Sequence, residues 1–287
     1  MTTLTIPSVA AAPFVMVEAG ARDTPLDGAI RGAFPHLQVI GFEPDPDECR
    51  RLAARHGPPH RFFPVAVGAS TGMRPFYRAR YPWYSSLSPP NEEFLADYWE
   101  GVLRFATVER STMPVVDLDS YLPTQGIDEV DFWQLDIQGG ELDALAGARS
   151  FLAGPLLGLR VEVSFHPMYA GQPLFADIDA FVRPYGFALW DLYTIPHKLH
   201  RRGLPPSSSG GGQLASGDAL YLRNHRCLTE RGATLAAEKL AVLASGLGFH
   251  DYAVQIGQEL VASGQLGDEA PLVADALRSY VAALLHG

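Results

Sequence analysis

Read as hydrophobic and polar positions, the chain opens on a loose mixed segment, residues 1–12, and then settles into a rhythm. A short β-rich apolar run, about Phe14 to Glu18, ends in an acid and passes through Gly20 into a polar turn. Such a run suits a strand buried on both faces. The pattern then turns helical over Asp23 to Phe34, with Asp23 or Thr24 as N-cap and Pro25 in the first turn. A second strand, about Gln38 to Phe42, ends in Glu43-Pro44-Asp45. A second helix, Pro46 to His56, is closed by Gly57-Pro58-Pro59. A third strand covers Arg61 to Val67 and stops at Gly68-Ala69-Ser70. Strand and helix in alternation predict a parallel sheet with right-handed crossovers.

The rhythm breaks between Gly72 and Glu109. Phe76, Tyr77, Tyr81, Trp83, Tyr84, Tyr98 and Trp99 fall there among prolines. The segment reads as an excursion over the sheet, with one helix around Asn91 to Leu103. A short strand at Thr112 to Val116 and a small helix through Tyr121 follow. Strand four is Val130 to Leu135, then a turn at Asp136 to Gly140 and a helix from Glu141 to Ser150. Strand five, Leu157 to Val163, leads to Ser164-Phe165-His166-Pro167. A helix over Pro173 to Arg183 puts Leu174, Ile178, Phe181 and Val182 on one side. Phe187 to Leu192 is strand six, Pro205 to Gly212 a mobile loop, and Asp218 to Arg223 the last strand. Beyond Asn224 come three Ala- and Leu-rich amphipathic stretches, about Leu228 to Ser245, Asp251 to Ala262 and Ala270 to Leu285. The reading is therefore two regions: residues 1–224 as an α/β domain with an aromatic insertion at about 72–110, and residues 225–287 as a helical appendage.

Composition narrows the function classes. A net charge of −10 with no basic run argues against nucleic acid or an anionic membrane as partner. Two isolated cysteines support neither a disulfide framework nor a zinc site, and no metal is expected. No apolar run reaches bilayer length, and the N-terminus lacks the basic start of a signal peptide, so a cytoplasmic protein is expected.

Chemistry concentrates at the strand ends. Glu43 stands roughly 20 residues after Gly20, the spacing of the acid that grips a ribose diol in nucleotide-binding sheets. A nicotinamide-dependent oxidoreductase would want G-x-G-x-x-G after strand one, where this chain offers only Gly20.

Several segments in order resemble the FkbM family of S-adenosylmethionine-dependent methyltransferases: Val17-Glu18-Ala19-Gly20-Ala21, Gly41-Phe42-Glu43-Pro44, Val65-Ala66-Val67-Gly68, Phe132 to Glu141, and Glu162-Val163-Ser164-Phe165. Ser85-Ser86-Leu87, Gly171 to Phe175 and Gly217 to Leu220 extend the likeness, which covers about residues 14 to 223. The resemblance implies a Rossmann-like seven-stranded methyltransferase sheet, mostly parallel with an antiparallel last strand, flanked by helices. It implies O-methylation of a sugar, glycolipid or other natural product, with S-adenosylmethionine as cofactor and S-adenosylhomocysteine as product. The chain departs from the family at Arg22 and Thr24, where the family generally has an asparagine and a second glycine. Glycine there lets the backbone approach the cofactor closely. The departure keeps open a non-catalytic relative that acts by binding a partner.

Taken singly, the residues divide into three sets. Glu18, Gly20, Ala21, Glu43, Pro44, Ala66, Val67 and Asp136 are the expected cofactor contacts. Gly20 turns beneath the methionine moiety, Glu43 takes the ribose hydroxyls, and Ala66 and Val67 line the adenine. Each has a plainer alternative, as turn glycine, surface acid or core. Asp136, Glu162 and His166 are the catalytic candidates. Asp136 meets the crevice at the carboxyl ends of the strands, or caps a helix. His166 suits proton removal near neutral pH. Trp83, Tyr84, Ser85 and Ser86 are expected to close over the acceptor, a small molecule or glycan. His197 and His200 are read as solvated loop residues. The tail helices are read as packing on the domain, or as the basis of a homodimer.

Overall fold

The computed structural model describes residues 2–22, 28–193, 198–203, 211–230 and 232–286. Strands β1 (Phe14–Ala19), β2 (Leu37–Phe42) and β3 (Arg61–Phe63) are joined by helices, of which Gly28–Ala33 and Pro46–His56 are described. After Ala66–Val67 (β4), Gly72–Ala79 (β5) and Thr107–Val116 (β6), the sheet resumes with Phe132–Leu135 (β7), Gly158–Ser164 (β8) and Phe187–Tyr193 (β9). It ends with Ser216–Arg223, here β12 because the short pair Lys198–Leu199 (β10) and Gln213–Leu214 (β11) precedes it. The order across the seven-stranded sheet is β3-β2-β1-β7-β8-β12-β9. All neighbours run parallel except β12, which is antiparallel to both β8 and β9. This is the expected α/β sheet with its reversed last strand. The direction of winding changes between β1 and β7, which opens a crevice at their carboxyl ends.

Side-chain alternation builds two core layers. Phe14 and Met16 of β1 point into a cluster with Val39, Phe132, Leu220 and Leu222. Val17 and Ala19 point the other way, to Ile40, Trp133, Leu159 and Val161. Helices Leu118–Thr124, Glu141–Ala146, Arg149–Ala153 and Phe175–Val182 supply partners on the second side. The first is covered largely by the tail. Helix Thr234–Gly246 is buried from Ala237 through Gly246, sandwiched between the sheet and the hairpin of His250–Ser263 and Ala270–His286. This burial on all sides explains its Ala- and Leu-rich composition. The tail thus packs on the sheet.

The burial carries a charge with it. Lys239 Nζ lies 2.9 and 3.0 Å from the two Asp131 oxygens, and Asp131 Oδ2 also accepts from Val15 N–H. Removing the ammonium leaves an uncompensated buried carboxylate, so Lys239→Met is expected to cost about 3 kcal/mol at neutral pH. Urea unfolding at fixed pH measures it, and a loss below about 1 kcal/mol would show that Asp131 simply takes up a proton.

The structure corrects several sequence expectations. The leader is not loose: Leu4, Ile6 and Val9 are buried, residues Pro7–Ala11 form a helical turn, and Leu4 N–H donates to Ser245 Oγ. The third strand splits into β3 and β4 around Pro64-Val65, since proline has no N–H for a ladder. β4 leaves the main sheet to pair with β6. The excursion is anchored by a long ribbon of β5 and β6. Its expected single helix is two short ones, Glu92–Leu95 and Gly101–Phe105, parted by Glu100 in a left-handed conformation. The helix from Glu141 likewise breaks at Gly147-Ala148. The proposed caps Asp23 and Thr24, His197, and most of the Pro205 to Gly212 loop lie outside the described residues. Among the described residues, no helix is long and apolar enough to cross a membrane.

Candidate active site

Register lines up the strand ends. Ala19 sits opposite Phe42 on one side and Leu135 on the other; Leu135 faces Val161, and Glu162 faces Asp218. One residue further on, Glu43, Gly20, Asp136, Glu162 and Asp218 therefore form a row across five adjacent strands, and all five line one cavity of about 830 Å³. Gly20 sits at the change of winding with φ +81°. A Cβ built on it would fall 1.8 Å from the Asp136 carbonyl oxygen. The absence of a side chain is what lets the tips of β1 and β7 close up, while Gly20 N–H donates to Phe42 O.

At the β2 tip, Glu43 is buried and its Oε1 accepts from Asp45 N–H at 2.9 Å. Burial pushes the Glu43 carboxyl up, against the pull of that amide and of Arg22. Arg22 also lines the cavity. Its guanidinium bonds Asp45 Oδ2 at 2.9 Å and stands 3.6 Å from Glu43 Oε1. Asp45 doubles as the N-cap of Pro46–His56, accepting from Asp47 and Glu48 amides.

Across the switch point lies an acid cluster. Glu141 is buried behind the Asp136 turn; its carboxylate accepts from Ile137 N–H (2.9 Å) and Gly139 N–H (3.0 Å), and burial pushes it up to about 7. Glu162 is pushed well above the carboxylate range by burial, then by the charges of Asp136, Glu141 and Asp218. Carboxylate oxygens of Asp136, Glu141 and Glu162 all lie within 4.8 Å of one another. Both Glu141 oxygens are spent on the turn, and Gln138 Nε2 donates to Asp136 Oδ1 (2.7 Å) and Glu162 Oε2 (3.0 Å). The cluster is thus already internally bonded.

The excursion roofs the cavity. Trp83, Tyr84, Ser85 and Ser86 line it, with Tyr81 and Trp99; Trp83 is 59% exposed at the mouth. Leu95, Phe105, Met168, Tyr169 and Ala215 form the small core that fixes the roof to the β8 end. Ser86 is buried, and its hydroxyl donates to Gln138 O at 2.7 Å, so it ties roof to floor.

Of the expected cofactor residues, Gly20, Glu43, Pro44, Ala66, Val67 and Asp136 share the cavity wall. Glu18 and Ala21 are buried and are not among its lining residues. Glu18 lies within β1, one residue before its end, and Ala21 is held by its N–H to Phe42 O. Of the catalytic candidates, Asp136 and Glu162 are brought together and His166 is not with them. After Ser164 the chain keeps pairing through Phe165 N–H to Ala215 O, then turns at Pro167. That swings His166 against Phe94, with Nε2 2.7 Å from Gln213 Nε2. His200, read as a solvated loop residue, lines the rim. Sequence reasoning missed the bonding roles of Gln138 and Tyr169 and the place of Asp218 in the row; only Asp218 carried a signal, through the register of a paired β8 and β12.

The chain is 27% identical over 155 residues to 2-O-methyltransferase NoeI of Sinorhizobium fredii (strain NBRC 101917 / NGR234), covering 50% of this chain and 61% of that one. Among solved structures, the 16S rRNA (adenine(1408)-N(1))-methyltransferase from Catenulisporales acidiphilia aligns with 78% of this chain and 97% of its own at 13% identity and a TM-score of 0.34. The 23S rRNA methyltransferase ErmE aligns over 93% of this chain and 91% of its own at 12% identity and a TM-score of 0.31. Similarity of that order says nothing about substrate. The methyltransferase FkbM domain, in contrast, matches residues 15–189, from β1 through both strand tips, the roof and the acid pair into β9. The chain belongs to the FkbM methyltransferase family.

Proposed function

We propose that this protein is an S-adenosylmethionine-dependent O-methyltransferase acting on a hydroxyl of a sugar, glycolipid or other natural product. The observation that carries the reading is the row of strand-end residues, in which Glu43 and the Asp136–Glu162 pair face one roofed cavity from either side of Gly20. The residues suit the cofactor. Glu43 offers a carboxylate for a vicinal diol, Ala66 and Val67 an apolar wall for adenine, and Gly20 a bare backbone against the crevice. When bound, S-adenosylmethionine supplies the leaving group and the electrophilic methyl carbon. The protein must then hold the acceptor oxygen in line and take its proton. Glu162 and Asp136 stand in the cavity for that proton, whereas the His166 ring is turned to Phe94 and Gln213. Trp83, Tyr84 and Tyr81 offer aromatic faces at the mouth, and the curated relative is a 2-O-methyltransferase. Both cysteines are unbridged, which suits the cytoplasm.

A second reading, a partner-binding protein without catalysis, draws on Arg22, whose guanidinium crowds the ribose carboxylate. Calorimetry with S-adenosylhomocysteine separates the two. Binding is expected, and Glu43→Ala is expected to weaken it by about 1–3 kcal/mol through the lost charged hydrogen bonds. No heat at millimolar ligand would favour the partner-binding protein; unchanged affinity in the variant would remove Glu43 from the ribose site.

A further inference from the structure

Gln138 joins the floor of the site to its roof. Its backbone is in the left-handed region, φ +58°, and Gly139 follows at +96°. A non-glycine residue there is uncommon and points to a constraint from its surroundings. Those surroundings are specific. The amide NH2 reaches Asp136 Oδ1 and Glu162 Oε2, the amide oxygen accepts from Tyr169 OH at 3.0 Å, and the backbone oxygen accepts from Ser86 Oγ. Tyr169 OH also lies 3.0 Å from Tyr84 O, and Gln172 holds the Tyr169 loop by accepting from Met168 and Tyr169 amides. One residue therefore touches both acids of the floor and, through Ser86 and Tyr169, both ends of the Tyr84–Ser86 roof.

We infer that Gln138 is a positioning residue that sets the spacing and proton sharing of Asp136 and Glu162 and couples them to closure of the aromatic roof. Two carboxylates this close repel when both are ionised; an NH2 group with one hydrogen for each is the neutral bridge that holds them in place. The groups facing Glu162 are Asp136 and Glu141 from the β7 turn, Asp218 from β12 and Tyr169 beyond β8. Each of these is an acid or a phenol, so all of them disfavour a second charge on Glu162.

Two variants separate positioning from mere packing. Gln138→Leu keeps bulk but loses every side-chain bond. Gln138→Glu keeps an acceptor for Tyr169 and so the roof contact, but turns an acceptor toward the two acids. Infrared titration of buried carboxyls in the ligand-free full chain is expected to show the Glu162 midpoint about one pH unit higher in both variants. Amide exchange over Tyr77 to Ser86 is expected to quicken about 10-fold in the Leu variant only. The kinetic arm rests on the methyl-transfer reading: kcat should fall about 10-fold or more in both variants, with KM for S-adenosylmethionine within about twofold. A wild-type midpoint in the Glu variant overturns the inference, whether or not Gln138→Leu folds. Absence of S-adenosylhomocysteine binding in the wild type would instead sink the cofactor reading and leave the titration and exchange results to decide this one.

Discussion

Gly20→Ala is expected to weaken S-adenosylhomocysteine binding by about 100-fold or more and to lower stability by about 3 kcal/mol. Two costs combine. The first is conformational: φ +81° is poorly tolerated by an L side chain and alone costs about 1 kcal/mol. The second is steric and larger. The new Cβ would overlap the Asp136 carbonyl oxygen and carbon, which are backbone atoms and cannot rotate away. Relief requires β1 and β7 to splay at their tips, where Asp136 and Glu43 must stay level to face one ligand. Gly264→Ala isolates the first cost. Gly264 ends helix His250–Ser263 in the same left-handed region, with φ +72°, and nothing lies within 4 Å of its added Cβ. That variant should lose about 1 kcal/mol in urea unfolding and bind ligand like the wild type. If Gly20→Ala behaved like Gly264→Ala in both measurements, the close approach of the two strand tips would have no bearing on the site.

The same glycine shows what the sequence makes legible. A strand ending in an acid, a glycine and a polar turn is a local pattern, and so is the acid-tipped second strand. Local patterns located Gly20, Glu43, Asp136 and Glu162, all of which line the cavity. The seven strands and the reversed last one follow from the resemblance, and the alternation of strand and helix already implies the parallel part. What depends on where a chain goes after it leaves a strand was not legible. His166 stands two residues beyond β8, and only the continued pairing of Phe165 with Ala215 decides that it turns away. Gln138 reads as an ordinary turn residue, because its partners Glu162, Tyr169 and Ser86 are distant in sequence. Leu4, Ile6 and Val9 form too short a pattern to announce a helix; their burial depends on a tail more than 220 residues away. Glu141 reads as the first residue of a helix, whereas its carboxylate braces the turn behind Asp136.

The acid pair gives the second large effect. Glu162→Gln is expected to slow methyl transfer by about 100-fold or more while making the protein more stable at neutral pH, by about 1 kcal/mol or more. Glu162 is pushed well above the carboxylate range, first by burial and then by Asp136, Glu141 and Asp218. A carboxyl whose pKa is raised on folding contributes stability below its unfolded value and loses it as pH rises through the folded value. The wild type therefore weakens with rising pH across that window, and a glutamine, which cannot ionise, does not. Glutamine keeps an oxygen to accept from Gln138 and offers Asp136 an NH2 group, so the bonding survives and only the charge is lost. Urea unfolding across the window should show the two proteins converging toward acid and parting toward neutral pH. Turnover of the wild type should rise over the same window, since a protonated Glu162 cannot accept the acceptor's proton. Asp136→Asn should move that rise to lower pH by removing the nearest like charge. A Glu162→Gln protein with near-normal kcat would take the carboxylate out of the proton transfer, and one less stable than wild type at neutral pH would mean that the ionised acid is held there by attraction, contrary to the row of acids around it.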